Sequence, residues 1–317
     1  MTIASQSATR RGGARDFSTT PGRSAHRPPA RPRHARWWPF VVISLAITIG
    51  FFLIPFLLNA YFAFTNWTGF TAEIAPNGLD NFVGLADAGI LGNAVRVTVF
   101  YAAIAMVLQN AVSLGLALLL QRTARFNSWL RTLFFIPVLI SPLAAGYIWG
   151  ALLSPIGPLN QAIGLASPGF DFAWLGNNGS ALVSVAFVDV WKWSGLVTLV
   201  YIAGLNAIQP SLIEAATIDG ANAWQRFWRV QFRLLAPAFT FSVVVTFLGA
   251  LNAFDIVQAT TRGGPGQATT VLNIALFRQY TGGFFGSASA LSLVITILVV
   301  GIGIPLIAFL RRREVEA

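Results

Sequence analysis

IQPSLIEAATIDGANAWQRFWRVQFRLLAP, residues 208–237, is a polar stretch with three arginines and two tryptophans, set between two long apolar segments. Ser211 and Glu214 have the S-x-x-E spacing of a capping box. With Pro210 at the boundary, this predicts a short helix from Leu212 to about Ile218. Gly220 then allows a turn that a residue bearing Cβ would resist. A second short helix is predicted from Ala223 to about Val230, with Trp224 and Trp228 four apart on one face. The pair suits a helix lying along a membrane surface, and on that reading Glu214 is only a cap. A helix–turn–helix of this size also offers a surface of its own for docking.

The flanking segments decide the fold class. The chain is 317 residues long, 55% hydrophobic and 10% charged, whereas soluble domains carry roughly 25% charged residues. Six apolar segments run over about 38–64, 94–120, 129–153, 181–207, 237–258 and 288–310. About 20 residues of helix cross the hydrocarbon of a bilayer, so the expectation is an all-α membrane protein with six transmembrane helices over 37–313. Pro55, Pro137, Pro142 and Pro305 fall within spans, where neighbouring helices can satisfy the freed backbone groups.

Charge placement orients the spans. Eight arginines lie in residues 1–36, three in 121–131, three in 208–236 and three in 311–313. The alternate loops hold only Arg262 and Arg278, while Arg96 and Lys192 lie within spans. Positive residues collect on the cytoplasmic side, which puts both termini and the 208–236 loop in the cytoplasm. The net charge of +10 is thus a topology signal, and no nucleic-acid partner is implied. Residues 1–36, rich in Arg, Ser, Pro and Gly, cannot bury enough surface to fold alone. They read as a disordered cytoplasmic tail before an uncleaved first span, with 314–317 a short tail at the other end. The loops on the far side, NWTGF (66–70), SPIGPLN (154–160) and TRGGPGQATT (261–270), combine amides, glycines and aromatics. Such residues suit contact with a partner protein or neutral solute, or anchoring at the membrane interface.

Several chemistries are excluded. There is no cysteine, and the two histidines, His26 and His34, lie in the tail. The membrane body therefore lacks thiol chemistry, histidine catalysis and histidine metal sites, and no paired carboxylates suggest an enzyme. The single lysine, Lys192, follows Trp191. A phosphate-binding P-loop needs Gly-Lys-Ser/Thr, so any ATPase that drives this chain is another polypeptide.

Glu214-Ala215-Ala216, then Gly220, in the string EAATIDGANAWQRFWRV (214–230), resembles the EAA loop of binding-protein-dependent ABC importer permeases, in their sugar-importing branch. The resemblance extends over roughly 38–313. NWTGF and DNFVGL (80–85) resemble the family's first outer loop. RTLFFIPVLISPLAAGYIWGALLSP (131–155) resembles its third span, and FDIVQATTRGGPGQATTVL (254–272) its fifth span's end and the loop beyond. These traits are similar to the subunit of the maltose-type pair that contributes most to the membrane sugar site. The family loop usually continues Ile-x-Leu-Pro. Here the positions read Val230, Gln231, Phe232 and Arg233, and the next proline is Pro237.

The resemblance implies the type I ABC importer permease fold in a bacterial plasma membrane, with the loop as a coupling helix. It implies a second permease subunit, two cytoplasmic ATPases that bind ATP and Mg²⁺, and an extracytoplasmic binding protein that delivers a sugar. Glu214, Ala215, Ala216, Asp219 and Gly220 would form the docking core. The chain itself would hold no cofactor.

Asp189 and Lys192, three apart in the fourth span, share a helix face. Intramembrane charges face the bundle interior and pair. They read either as an internal salt bridge or as lining of a translocation path, with Trp191 and Trp193 as stacking plates. Asn252 and Asp255 are further lining candidates. A secondary transporter with Asp189 as coupling carboxylate is the alternative mechanism, although the inverted repeats of that class are not visible. A polyol or glycerol-phosphate cargo is the alternative substrate. A phosphate group favours several arginines, and only Arg96, Arg262 and Arg278 are available, which points to a neutral sugar.

Overall fold

The computed structural model describes residues 38–70, 73–121 and 125–312. The expected tails, 1–36 and 314–317, lie outside the described residues, as do Arg122 and Arg313. The chain divides into two units at Gly50. The first contains α1 (Trp38–Thr48), which buries none of its residues. A π-helical turn, Ile49–Leu53, follows.

The second unit begins at Phe51, and among its described residues the regular elements are helices. Its elements are α2 (Ile54–Phe62), α3 (Asp80–Asp87), α4 (Ile90–Leu120), α5 (Arg125–Leu139), α6 (Pro142–Leu152), α7 (Pro158–Ala166) and α8 (Asn178–Asn206). They continue as α9 (Pro210–Ile218), α10 (Ala223–Arg226), α11 (Phe232–Leu234), α12 (Ala236–Leu251), α13 (Asp255–Thr260), α14 (Leu272–Thr281) and α15 (Phe285–Arg311).

Among the described residues, four helical stretches are long and apolar enough to cross a bilayer: Trp38–Phe62, α4, α8 and α15. Two bent pairs raise the number to six if each counts as one span. These are α5 with α6, bent by 99°, and Ala223–Leu234 with α12, bent by 70°. The spans expected over about 129–153 and 237–258 are each interrupted. The first breaks at Ile140–Ser141. Proline disfavours helical backbone in the residue before it, and Ser141, preceding Pro142, is extended and caps α6 by accepting from the Ala144 amide at 3.2 Å. The second segment stops at Leu251, leaves helix over 252–254 and restarts as α13. Hydropathy registers the apolar length of such segments and not where the backbone turns.

Helices α4, α8 and α12 form the core, joined by hydrogen bonds between polar side chains. Asn110 on α4 donates to Thr246 Oγ1 on α12 at 2.9 Å, and its Oδ1 accepts from the Tyr201 hydroxyl on α8 at 2.6 Å. Ser113 donates to the Ser194 carbonyl at 3.0 Å. Within hydrocarbon such bonds contribute about 0.6 kcal/mol on average, and up to about 2. Gly195 permits close approach of α5, because a Cβ there would collide with the Phe134 carbonyl. The loop after α2 is clasped to the start of α15. Gly69 donates to the Gly283 carbonyl, Gly286 donates to that of Trp67, and the Trp67 and Phe285 rings meet at 4.9 Å. The aromatics of NWTGF therefore hold this loop in place.

Candidate functional site

Two features carry chemistry: the 208–236 loop and a cavity between helices. In the loop, α9 begins at Pro210, two residues before the Leu212 that the sequence suggests. Pro210 occupies its first turn, Gln209 stands at the cap, and no side chain caps it. The Ser211–Glu214 capping box is therefore corrected: proline's fixed φ starts the helix at Pro210, which moves Ser211 inside it. A capping box forms instead at α10, where Asn222 Oδ1 accepts from the Gln225 amide at 2.9 Å and Gln225 Oε1 accepts from the Asn222 amide at 3.0 Å.

Between the two helices Gly220 has φ +81°. Its amide donates to Thr217 at 3.1 Å and the Ala221 amide donates to Ala216 at 3.0 Å. This paired closure of the last carbonyls is a Schellman motif, which strongly favours glycine at the left-handed position. Arg226 adds a bond from Nη1 to the Ala221 carbonyl at 3.1 Å, so the turn is fixed from both sides. Glu214, Ala215, Asp219 and Gly220 are exposed and Ala216 is half-buried. Ile218, which the motif does not single out, is 86% exposed beside them. Its signal in the sequence was a large aliphatic residue next to the turn of a polar loop.

Beyond α10 the helix does not break where the family proline would stand. A π-helical turn, Phe227–Gln231, carries it into α11, and the bend falls at Leu235, which is buried, just before Pro237. Rings follow one another along this segment. Trp224 meets Trp228 at 5.5 Å, Trp228 meets Phe232 at 4.9 Å, Phe232 meets Phe239 at 5.4 Å, and Phe239 meets Tyr201 at 6.5 Å. The shared face predicted for Trp224 and Trp228 is present, and it continues into the core.

The cavity has two lobes that share Asp189, Trp193 and Gly249. One, of about 130 Å³, is lined by Tyr101, Pro142, Asp189, Trp193, Asn252 and Asp255, among others. The other, of about 230 Å³, is lined by Gln109, Asp189, Trp193 and Thr246 with apolar neighbours. The smaller lobe touches both backbone breaks, through Pro142 and through residues 252–254. Non-helical backbone at membrane depth is tolerated only where it is buried in protein or lines a wet cavity. Of the predicted path residues, Asp189, Trp193, Asn252 and Asp255 come together here.

Trp191 and Lys192 do not. Trp191 lies in a separate apolar groove with Phe187, Val190 and Pro137, and its ring packs edge-on to Trp149 at 5.4 Å. Lys192 is 1% exposed. Its ammonium donates to the carbonyls of Pro137 and Val138 at 3.3 Å each and to that of Ile140, and it lies 4.4 Å from the Trp193 ring centroid. No ion pair forms between Lys192 and Asp189 among the described residues. The last carbonyls of a helix have no partner within it and carry partial negative charge. Lys192 supplies that partner at the α5–α6 break and is not among the cavity residues, while its charge still acts on Asp189 through space.

Tyr101 and Gln109 were missed. Tyr101 is fully buried, with its hydroxyl beside the Asp189 carboxylate. The two are eight apart on α4 and so share a face; polar groups at that spacing in an apolar helix were the available signal. Arg278, considered for a cargo phosphate, instead braces the 261–270 loop, with Nη2 donating to the Arg262 carbonyl at 2.7 Å.

Residues 109–313 match the family described as "Binding-protein-dependent transport system inner membrane component". The chain is 32% identical, over 88% of its length and 95% of the relative's, to the probable starch degradation products transport system permease protein AmyD of Thermoanaerobacterium thermosulfurigenes. It is 27% identical, over 83% of itself and 90% of the other, to the multiple sugar-binding transport system permease protein MsmF of Streptococcus mutans. It is 34% identical, over 84% and 91%, to the sn-glycerol-3-phosphate transport system permease protein UgpA of Escherichia coli. In fold it resembles a chain of a bacterial ABC transporter involved in the import of the acidic polysaccharide alginate. The TM-score is 0.75 at 21% identity, covering 88% of this chain and 96% of that one.

Proposed function

Because this chain belongs to the family of binding-protein-dependent transport system inner membrane components, we propose that it is one permease subunit of an ATP-driven sugar importer. A second permease subunit completes the path. Two separate ATPase subunits bind ATP and Mg²⁺ on the cytoplasmic side, where both termini lie, and an extracytoplasmic binding protein delivers the sugar. The 208–236 loop couples the path to an ATPase.

The observation that carries this reading is the exposed tip at 214–220, locked by the Gly220 turn and continued by rings to Tyr201. Tyr201 bonds Asn110, which bonds Thr246. A displacement of the tip by an ATPase therefore meets a packed chain of contacts that ends on all three core helices. Ala215 and Ala216 allow close approach, Ile218 offers an apolar anchor, and Glu214 and Asp219 offer charge.

The cargo reading rests on the cavity. Carboxylates of Asp189 and Asp255, the Asn252 amide and the Trp193 ring suit the hydroxyls and apolar faces of a sugar. The name of AmyD specifies starch degradation products and that of MsmF multiple sugars. The likeness to UgpA favours a glycerol-phosphate cargo as a second reading. Two carboxylates and no arginine among the cavity residues oppose it, because phosphate recognition uses cationic donors.

Gly220→Pro and Glu214→Arg test the coupling role. Each is expected to abolish uptake while the protein still inserts in the membrane. Normal uptake by either variant would remove the role. Uptake that survives loss of the ATPase and collapses with an ionophore would support an ion-coupled transporter instead.

A further inference from the structure

Away from the cavity, a cleft of about 500 Å³ lies where the first turns of α4 and α8 meet the 266–268 loop. Arg96, Asn93, Phe100, Asn178 and Gln267 line it, and no carboxylate does. Arg96 and Phe100 are exposed. The guanidinium is held in place without being neutralised. Arg96 Nη2 donates to Asn93 Oδ1 at 3.2 Å, and Asn93 Nδ2 donates to the Gln267 carbonyl at 3.1 Å. Gln267 sits at φ +76° in a loop closed by the Ala268 amide on Pro265 at 2.7 Å and the Thr270 amide on Gln267 at 3.1 Å. A guanidinium with amide groups, an aromatic ring and apolar side chains around it suits a carboxylate. Arginine matches a carboxylate with two parallel hydrogen bonds.

We propose that this cleft receives an acidic side chain of the extracytoplasmic binding protein. The inference rests on the importer reading, which puts this end of α4 and α8 on the outer face. Charge complementarity selects the occupant: the cleft is cationic, whereas the cargo cavity carries Asp189 and Asp255. A carboxylate is therefore welcome at the first site and opposed at the second, which favours a docking group that stays outside over an acidic cargo that passes through. Charges at the rim of an interface act mainly on association rate and its salt dependence.

The test uses the complete importer in liposomes, with ATP hydrolysis measured against binding-protein concentration. Two substitutions are compared. Arg96→Glu reverses the charge. Asn93→Asp leaves Arg96 intact but puts a carboxylate at the Oδ1 position already 3.2 Å from its guanidinium, which occupies it from within. Both are expected to raise the KM for binding protein about tenfold, with less effect on the maximal rate, and the difference from wild type should shrink at high salt, where exposed charges are screened. Wild-type and variant curves that coincide would overturn the cleft's role and leave the importer reading standing. Wild type that no binding protein stimulates would remove both. An unchanged KM for binding protein with altered uptake of a carboxylated sugar would assign the cleft to solute and also overturn docking.

Discussion

Asp189 lines both lobes of the cavity, as Trp193 and Gly249 do, and it is 9% exposed. A carboxylate there accepts hydrogen bonds from hydroxyls and donates none. The buried Tyr101 hydroxyl lies beside this carboxylate and is itself a donor. Asp189→Asn keeps the volume and removes the charge. A hydrogen bond to a charged group contributes about 1.5–3 kcal/mol, and about 1.4 kcal/mol is tenfold. Sugar uptake by the reconstituted importer is therefore expected to fall at least about tenfold, while sugar binding to the isolated binding protein is untouched. Uptake at the wild-type rate would remove Asp189 from the path. Trp191 shows why residue identity alone misleads. It lies two positions from Trp193, about 200° around a helix of 3.6 residues per turn, and so faces another groove. That separation was legible in the sequence. The role of Lys192 was not, because its acceptors are backbone carbonyls 52 to 55 positions upstream, and backbone acceptors leave no mark in side-chain identity.

At the scale of elements, the break that Pro142 imposes between α5 and α6 is bridged by that lysine. Lys192→Met preserves an unbranched side chain and strips the ammonium from three carbonyls. Loss of charged hydrogen bonds at a buried site costs about 1.5–3 kcal/mol or more. A lower midpoint of thermal unfolding is expected for the detergent-solubilised complex; an unchanged midpoint would mean that the break holds without the staple. Apolar length made the spans themselves legible, and charge asymmetry suggested how they alternate. Gly220 was legible because few residues other than glycine accept its backbone conformation. The start of α9 was misjudged because S-x-x-E spacing and Pro210 make competing claims on the same turn, and the proline's fixed φ prevails. The bend at Ile140–Ser141 was hidden because flanking residues on both sides remain largely apolar, whereas the bend at Leu235 falls at the expected boundary between the polar loop and the fifth span.

At the scale of the whole molecule, the tip of the 208–236 loop is joined through rings and polar bonds to the helices that surround the cavity. The central claim is that a separate ATPase drives this tip. The natural chain contains no cysteine, so Ile218→Cys gives a single reporter at the exposed turn. The decisive measurement is cross-linking of that thiol to single cysteines on a co-purified P-loop ATPase, in the nucleotide-free, ATP-bound and ADP-bound states. The account predicts efficient cross-links whose positions on the ATPase change with nucleotide. Absence of any cross-link to the ATPase in all three states, from an importer that still transports sugar, would contradict it.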